Sequence, residues 1–312
     1  MSLRKLLFHS SLFIVTFFTL TVAGVQWLNR DPFDLRNFFL GIPYSLSILF
    51  ILTCHEFGHY VAARQHGVDA TLPYFIPFPN LLGVVNFGTL GAVIRTKSQI
   101  PSRKVMFDIG AAGPIAGFVA TLIILTYGFL TLPGKEFILS IHPDYFTQVH
   151  PSNGVDLAFG SYLLYQFLAA TLTNPTSQFV PPMTEMYHYP FLCAGWFGLF
   201  VTAMNMIPIG QLDGGHVAYT MFGRTHRSIS RLAFAVVLLI GLFGLLPLIK
   251  VPFAFGWTGW LFWALILFFV VKLEHPPVMD ESPLDDARKS LGWLTFAILA
   301  LSFMPTPFTI SF

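Results

Sequence analysis

Residues 39–63 read FLGIPYSLSILFILTCHEFGHYVAA, an apolar run that is long enough to cross a bilayer as one helix. The end of this run contains His55, Glu56 and His59, and ionisable side chains are costly inside a membrane. Because His55 and His59 are four residues apart, they lie on the same face of a helix. The stretch therefore predicts a membrane-spanning helix whose polar side chains have a chemical role.

The composition of the chain is that of a membrane protein. Hydrophobic residues make up 54% of the 312 residues and charged residues only 10%, against about 25% in soluble domains. A soluble fold of this size could not bury so much apolar surface, so lipid is the expected solvent. The net charge of +2 is too small to indicate nucleic-acid binding, and we predict no nucleic-acid partner.

Apolar runs of about 20 residues predict an all-α membrane protein with about seven transmembrane helices. The first run follows Arg4 and Lys5, as in a signal peptide, but it is longer than a signal core. A further run at 157–172 is too short to span and predicts an interfacial or re-entrant helix. The seven candidate spans are residues 6–28, 39–63, 107–131, 190–209, 230–249, 254–273 and 291–304.

The distribution of positive charge orients these spans. With the N-terminus in the cytoplasm, the 17 Lys and Arg residues all fall on the cytoplasmic side, except Arg30, Arg36, Lys135 and Lys250. The opposite orientation would place the majority outside. Because no transit peptide is evident, a bacterial plasma membrane is the expected location.

The two histidines of the first stretch form a metal-binding motif. His55 and His59 can bind one zinc ion together, and Glu56, at the edge of the same helix face, can reach a water molecule on that ion. This is the H-E-x-x-H pattern, set in an apolar helix where polar residues are rare by chance. Cys54 points about 100° away from His55 on a helix and is interpreted as a packing residue.

A catalytic zinc site usually has three protein ligands and a water, so a third ligand is expected elsewhere in the chain. Residues 205–216 read NMIPIGQLDGGH and would end a span on the cytoplasmic side, at a depth similar to that of His59. Pro208 stops a helix there, and the glycines let the backbone approach an ion closely. Asp213 is the favoured third ligand, and its rival His216 is interpreted as a histidine outside the ligand set.

The two motifs together resemble the site-2 protease family of intramembrane zinc metalloproteases, peptidase family M50. The stretches FGTLGA at 87–92 and DIGAAGP at 108–114 are also similar to segments of that family, although Ala92 stands where some members have glycine. The resemblance covers about residues 45–225. It implies a zinc ion held by His55, His59 and Asp213, with Glu56 as general base and Asn205 positioning or stabilising the reacting carbonyl.

The resemblance implies an intramembrane zinc endopeptidase, with one zinc ion per chain, that hydrolyses peptide bonds of membrane-spanning proteins or peptides near the cytoplasmic face. No internal repeat or long polar stretch interrupts the sequence, so residues 1–312 are expected to form one polytopic membrane domain. Its catalytic core would cover about 38–225 and extra C-terminal spans about 229–304, which leaves no room for the PDZ module of some members. The sequence does not indicate an oligomeric state.

Two other functions stay open at this point. A catalytically silent relative could bind or chaperone membrane proteins, but this chain keeps His55, Glu56, His59 and Asp213. A metal transporter could use the same ligands, but transport sites usually open to both sides in turn, and these residues cluster near one face.

Two connecting segments also have alternative interpretations. Residues 83–95 are rich in glycine and β-branched side chains, and they predict either a re-entrant strand that pairs with an unwound substrate or a plain loop. Residues 274–277 read EHPP and are interpreted as an ordinary cytoplasmic turn.

Overall fold

A computed structural model describes residues 2–79, 87–147, 156–251 and 255–311 of the chain. The described residues form four short strands, which are β1 (Tyr74–Pro77), β2 (Thr89–Val93), β3 (Asp156–Phe159) and β4 (Phe308–Ser311). They also form ten α-helices, which are α1 (Leu3–Trp27), α2 (Phe38–Gln65), α3 (Arg103–Leu130), α4 (Lys135–Ile141), α5 (Leu163–Leu172), α6 (Pro190–Met206), α7 (Asp213–Phe222), α8 (His226–Phe243), α9 (Gly259–Ile266) and α10 (Asp286–Ser302).

The membrane-spanning helices were expected from hydropathy, and the structure supports part of that expectation. Each of the seven predicted spans contains a helix, but α6, α10 and the segment Gly259–Val271 have 17 residues or fewer. The count of seven therefore stays a prediction. Within the described part of the chain, the segments long and apolar enough to cross a membrane are Leu3–Trp27, Leu35–Gln65, Arg103–Leu130 and Asp213–Ile249.

Helix α2 lies at the centre of the fold and packs against α1, α3 and α6. Small residues allow the close approach of these helices, as is common in membrane bundles. At Gly58 of α2, an added side chain would collide with the backbone of Ala112 on α3. The packed face of α2 includes His55, Glu56 and His59, which are each 7% exposed or less. The neighbouring helices therefore bury the polar side chains of α2 inside the protein.

The described residues are mostly helical, as the sequence predicted, and two small antiparallel sheets add to the helices. In the first sheet, β1 pairs with β2 through Tyr74↔Val93, Phe75↔Ala92 and Pro77↔Thr89. The strand β2 lies within the segment 83–95, for which a strand and a plain loop were both considered. Residues 83–86 of that segment lie outside the described residues, and its re-entrant placement stays a prediction.

The second sheet joins parts of the chain that are far apart in sequence. It pairs β3 with β4, and Thr309 of β4 approaches the carbonyl oxygen of Ala158, 151 residues earlier. The ring of Phe308 in β4 is buried and lies 5.1 Å from the rings of both Phe159 and Trp196. The last strand therefore contributes to the aromatic core around α6.

Candidate metal centre

The buried face of α2 brings its two histidines together. The Nε2 atoms of His55 and His59 are 3.1 Å apart, one helical turn from each other. The Nδ1 atom of His59 lies 2.7 Å from the backbone carbonyl oxygen of Ile109 on α3. A carbonyl oxygen can only accept a hydrogen bond, so this contact places the proton on Nδ1 and leaves Nε2 free to bind a metal.

Asp213 reaches the same point from a different element. Helix α6 ends at Met206, and the chain turns through Pro208 before α7 begins at Asp213. The Oδ2 atom of Asp213 lies 3.2 Å from His55 Nε2, and its Oδ1 atom lies 3.3 Å from His59 Nε2. The sequence predicted that a helix stops at Pro208, but it did not predict that α7 begins at Asp213.

These separations fit a bound metal ion. Ligand atoms that surround a tetrahedral zinc ion at about 2.0–2.2 Å lie about 3.3–3.6 Å from one another. The two Nε2 atoms are 3.1 Å apart, and each lies 3.2 or 3.3 Å from one of the two carboxylate oxygens of Asp213, so these distances are close to that size. Two imidazoles and one carboxylate form a donor set that suits zinc and leaves a fourth coordination position open.

All five side chains that the sequence singled out line one cavity of about 510 Å³. Glu56 is 5% exposed, and its carboxylate lies beside the backbone amide of Ile94, just after β2. Asn205, in the last turn of α6, lines the same cavity. The arrangement therefore places a carboxylate and an amide next to a potential metal position. The roles of these side chains stay predictions.

Two glycines of helix α3 pack directly against the histidines of the metal centre. Gly113 lies so close to His59 that an added methyl group would occupy the position of the imidazole ring. Gly117 lies beside His55, where an added methyl carbon would make a tight contact of 3.0 Å with the Nδ1 atom. The position of Gly113 gives the stretch DIGAAGP at 108–114 a physical role, because a side chain at residue 113 would leave no room for the His59 ring.

Gly113→Ala is expected to remove the bound metal and the activity that depends on it, because the new methyl group displaces the His59 ring. The matched control is Gly128→Ala on the same helix, where the atoms nearest to an added methyl belong to Leu192 and Phe191, at 3.0 Å, and not to a histidine. Metal analysis of both purified variants is the measurement. A Gly113→Ala variant with wild-type metal content would contradict this assignment.

A pair of histidines forms another wall of the cavity. The Nδ1 atom of His216 lies 2.7 Å from Nε2 of His275, whose ring stacks on Tyr219 at 4.1 Å. Burial is the main cause that lowers the pKa of His275 to about 3, so its imidazole is neutral. The interpretation of residues 274–277 as an ordinary turn is therefore wrong, because His275 and Pro276 line the cavity.

Comparison with known proteins identifies the family. Residues 43–248, about two thirds of the chain, match the family model of peptidase family M50. The chain belongs to peptidase family M50. This confirms the resemblance that the two motifs suggested. No solved structure matches this M50 chain.

The M50 relatives include plant proteins. The chain is 28% identical to the probable zinc metalloprotease EGY2, chloroplastic, of Arabidopsis thaliana over 302 residues, which are 95% of this chain and 48% of the relative. It is 30% identical to the EGY2 protein of Oryza sativa subsp. indica over 95% of this chain and 49% of the relative. It is 35% identical to the EGY1 protein of Oryza sativa subsp. japonica over 59% of this chain and 28% of the relative.

These comparisons also bear on length and location. The chain spans about half the length of the EGY2 proteins that it matches. The names of those relatives place them in chloroplasts. The bacterial plasma membrane and the cytoplasmic N-terminus that the sequence suggested therefore stay predictions.

Proposed function

We propose that this chain is an integral-membrane zinc endopeptidase that hydrolyses peptide bonds of membrane-spanning proteins or peptides near the cytoplasmic face. The observation that supports the proposal best is the convergence of His55, His59 and Asp213 beside the buried Glu56 in one cavity. The names of the M50 relatives, probable zinc metalloproteases, support the same metal and the same class of reaction.

Different side chains of the cavity would bind the metal, transfer the proton and stabilise the developing negative charge. When bound, zinc supplies a Lewis acid that polarises the scissile carbonyl and makes a water molecule acidic enough to lose a proton near pH 7. Glu56 accepts that proton and later delivers it to the leaving nitrogen. The side-chain amide of Asn205 donates a hydrogen bond to the carbonyl oxygen as negative charge develops there. His55, His59 and Asp213 would hold the ion.

Removal of zinc from the purified chain is the direct test of this proposal. We expect cleavage of a membrane-spanning peptide to fall to background when a chelator removes the metal, because no side chain alone activates water sufficiently. Adding zinc should restore cleavage, whereas magnesium, a hard cation that favours oxygen ligands, should not. Cleavage that persists in the metal-free protein would contradict a zinc-dependent reaction.

The strand β2 is proposed to present the substrate to the metal centre. One edge of β2 pairs with β1, and Ala92 and Val93 at its end line the cavity. A helical substrate must unwind before its peptide bond is accessible, and an extended peptide can then add to the second edge of a strand. Val93 is half exposed, which is consistent with a position at the substrate side.

Val93→Pro is expected to abolish cleavage while leaving the zinc content unchanged. Proline cannot donate a backbone hydrogen bond and disrupts a strand edge, but residue 93 contributes no metal ligand. Val93→Ala, which keeps the backbone amide, is the matched control and should retain most of the activity. Substrate cleavage and zinc content are measured on the same preparations. Full activity in Val93→Pro would exclude substrate pairing at β2.

We also propose the domain organisation that the sequence suggested. Residues 1–312 would form one polytopic membrane domain, with a catalytic core at about 38–225 and further spans at about 229–304. The short apolar helices α6 and α9 would complete the count of seven, together with α10. The four long apolar segments support the membrane location of the domain.

A further inference from the structure

A second group of potential metal ligands lies far from the first. It consists of His142, directly after α4, together with Glu185 and His188, which precede α6. Helix α6 runs from this group towards the metal centre, and its 17 residues correspond to a length of about 25 Å. The second group therefore cannot share an ion with His55, His59 and Asp213.

The geometry of the second group closely matches that of the first. The Nε2 atoms of His142 and His188 are 3.1 Å apart, the same separation as in the pair on α2. The Oε2 atom of Glu185 lies 3.5 Å from each of these nitrogens. A point equidistant from the three atoms is about 2 Å from each, which is the length of zinc–nitrogen and zinc–oxygen bonds.

A backbone contact also orients one of the imidazoles for metal binding. The Nδ1 atom of His188 lies 2.5 Å from the carbonyl oxygen of Trp27 at the end of α1. That oxygen accepts a hydrogen bond, so Nδ1 carries the proton and Nε2 presents its lone pair to the group. His59 has the same arrangement with Ile109 in the first centre.

The three side chains are held by well-packed parts of the fold. His188 is 2% exposed, whereas the His142 side chain is 35% exposed and gives an ion access from solvent. Ile138 anchors α4 in the interior, and the ring of Phe137 packs against Tyr189 at 4.9 Å. The positions of the potential ligands are therefore set by tertiary packing before any ion binds.

We propose that His142, Glu185 and His188 bind a second zinc ion, which connects α4 to the start of α6. Two imidazoles and a carboxylate are the donor types that zinc prefers, and a water molecule would complete the coordination. This site would stabilise the end of the bundle opposite the catalytic cavity. The proposal is independent of proteolytic activity, because none of its residues lines that cavity.

A metal count on the full chain tests the proposal. After loading with zinc and removal of loosely bound metal, we expect about two zinc ions per wild-type chain. Glu185→Gln and His142→Ala should each retain about one, and Asp213→Asn/Glu185→Gln should retain none. The control His66→Ala removes a histidine that pairs with Asp108 and belongs to neither group of potential ligands, and it should keep both ions.

Cobalt(II) provides a second readout that does not depend on the first centre. In the Asp213→Asn background, visible absorption of tetrahedral cobalt(II) should arise from the second site, and adding His142→Ala should remove it. The nearly isosteric Glu185→Gln keeps the test valid if His142→Ala does not fold. The proposal would be overturned if the wild-type chain bound only one zinc ion and Asp213→Asn bound none. It would also be overturned if neither His142→Ala nor Glu185→Gln changed the cobalt absorption of the Asp213→Asn chain.

Discussion

Glu56→Gln is expected to lower the rate of substrate cleavage by about 10²–10⁴-fold while the chain keeps its zinc. Glutamine has nearly the same shape as glutamate, so it can occupy the same place in the cavity. It cannot accept a proton from water or carry one to the leaving nitrogen. The substitution therefore separates proton transfer from metal binding, which a change of a metal ligand cannot do.

The measurement compares zinc content and cleavage of a membrane-spanning peptide in the wild type and Glu56→Gln. Glu136→Gln, at an exposed position on α4, is the matched control and should behave as the wild type. The result also separates the competing functions. A silent binding protein would bind zinc without cleaving in either form, and a transporter would move zinc into vesicles in both. Equal cleavage by Glu56→Gln and the wild type would remove Glu56 from the mechanism.

Asp213→Asn is expected to release the zinc ion and to lower cleavage at least as far as Glu56→Gln does. The carboxylate is the single anionic group among the three proposed ligands, and it contacts both histidines at 3.2 and 3.3 Å. An amide of the same size keeps the shape of the site but loses the charge that balances the cation. The loss should therefore be one of metal affinity and not of folding.

Zinc titration of the purified variant measures that affinity directly. Asp69→Asn is a suitable control because Asp69 pairs with Arg64 at an exposed position. Its zinc affinity and cleavage should both remain at the wild-type level. If Asp213→Asn bound zinc as tightly as the wild type, the third ligand would have to be another residue, with His216 the first alternative.

The histidine motif and its helix could be predicted because their signals are local. The apolar run at 39–63 and the four-residue spacing of His55 and His59 are visible without any tertiary information. The choice of Asp213 used one further step, the comparison of depth between two spans. The structure brings Asp213 within 3.3 Å of both histidines, and its role as the third ligand stays a prediction.

Features that depend on tertiary packing could not be predicted. Helix α7 begins with Asp213, Gly214 and Gly215, and glycine disfavours helix formation. Close packing of Gly214 against the backbone of Met206 explains why small residues are needed there. The position of His275 in the cavity depends on its contact with His216, 59 residues earlier. No local pattern in the sequence carries such information.

The pairing of β3 with β4 has a consequence for how the chain is made. Phe308 fills an aromatic cluster around Trp196, and β4 is synthesised about 150 residues after the strand with which it pairs. Helices can enter the membrane one after another during translation, but the cluster around Trp196 is complete only after Phe308 has been synthesised. A ribosome that stalled before it reached Phe308 would therefore leave inserted helices whose aromatic cluster still lacks one of its rings.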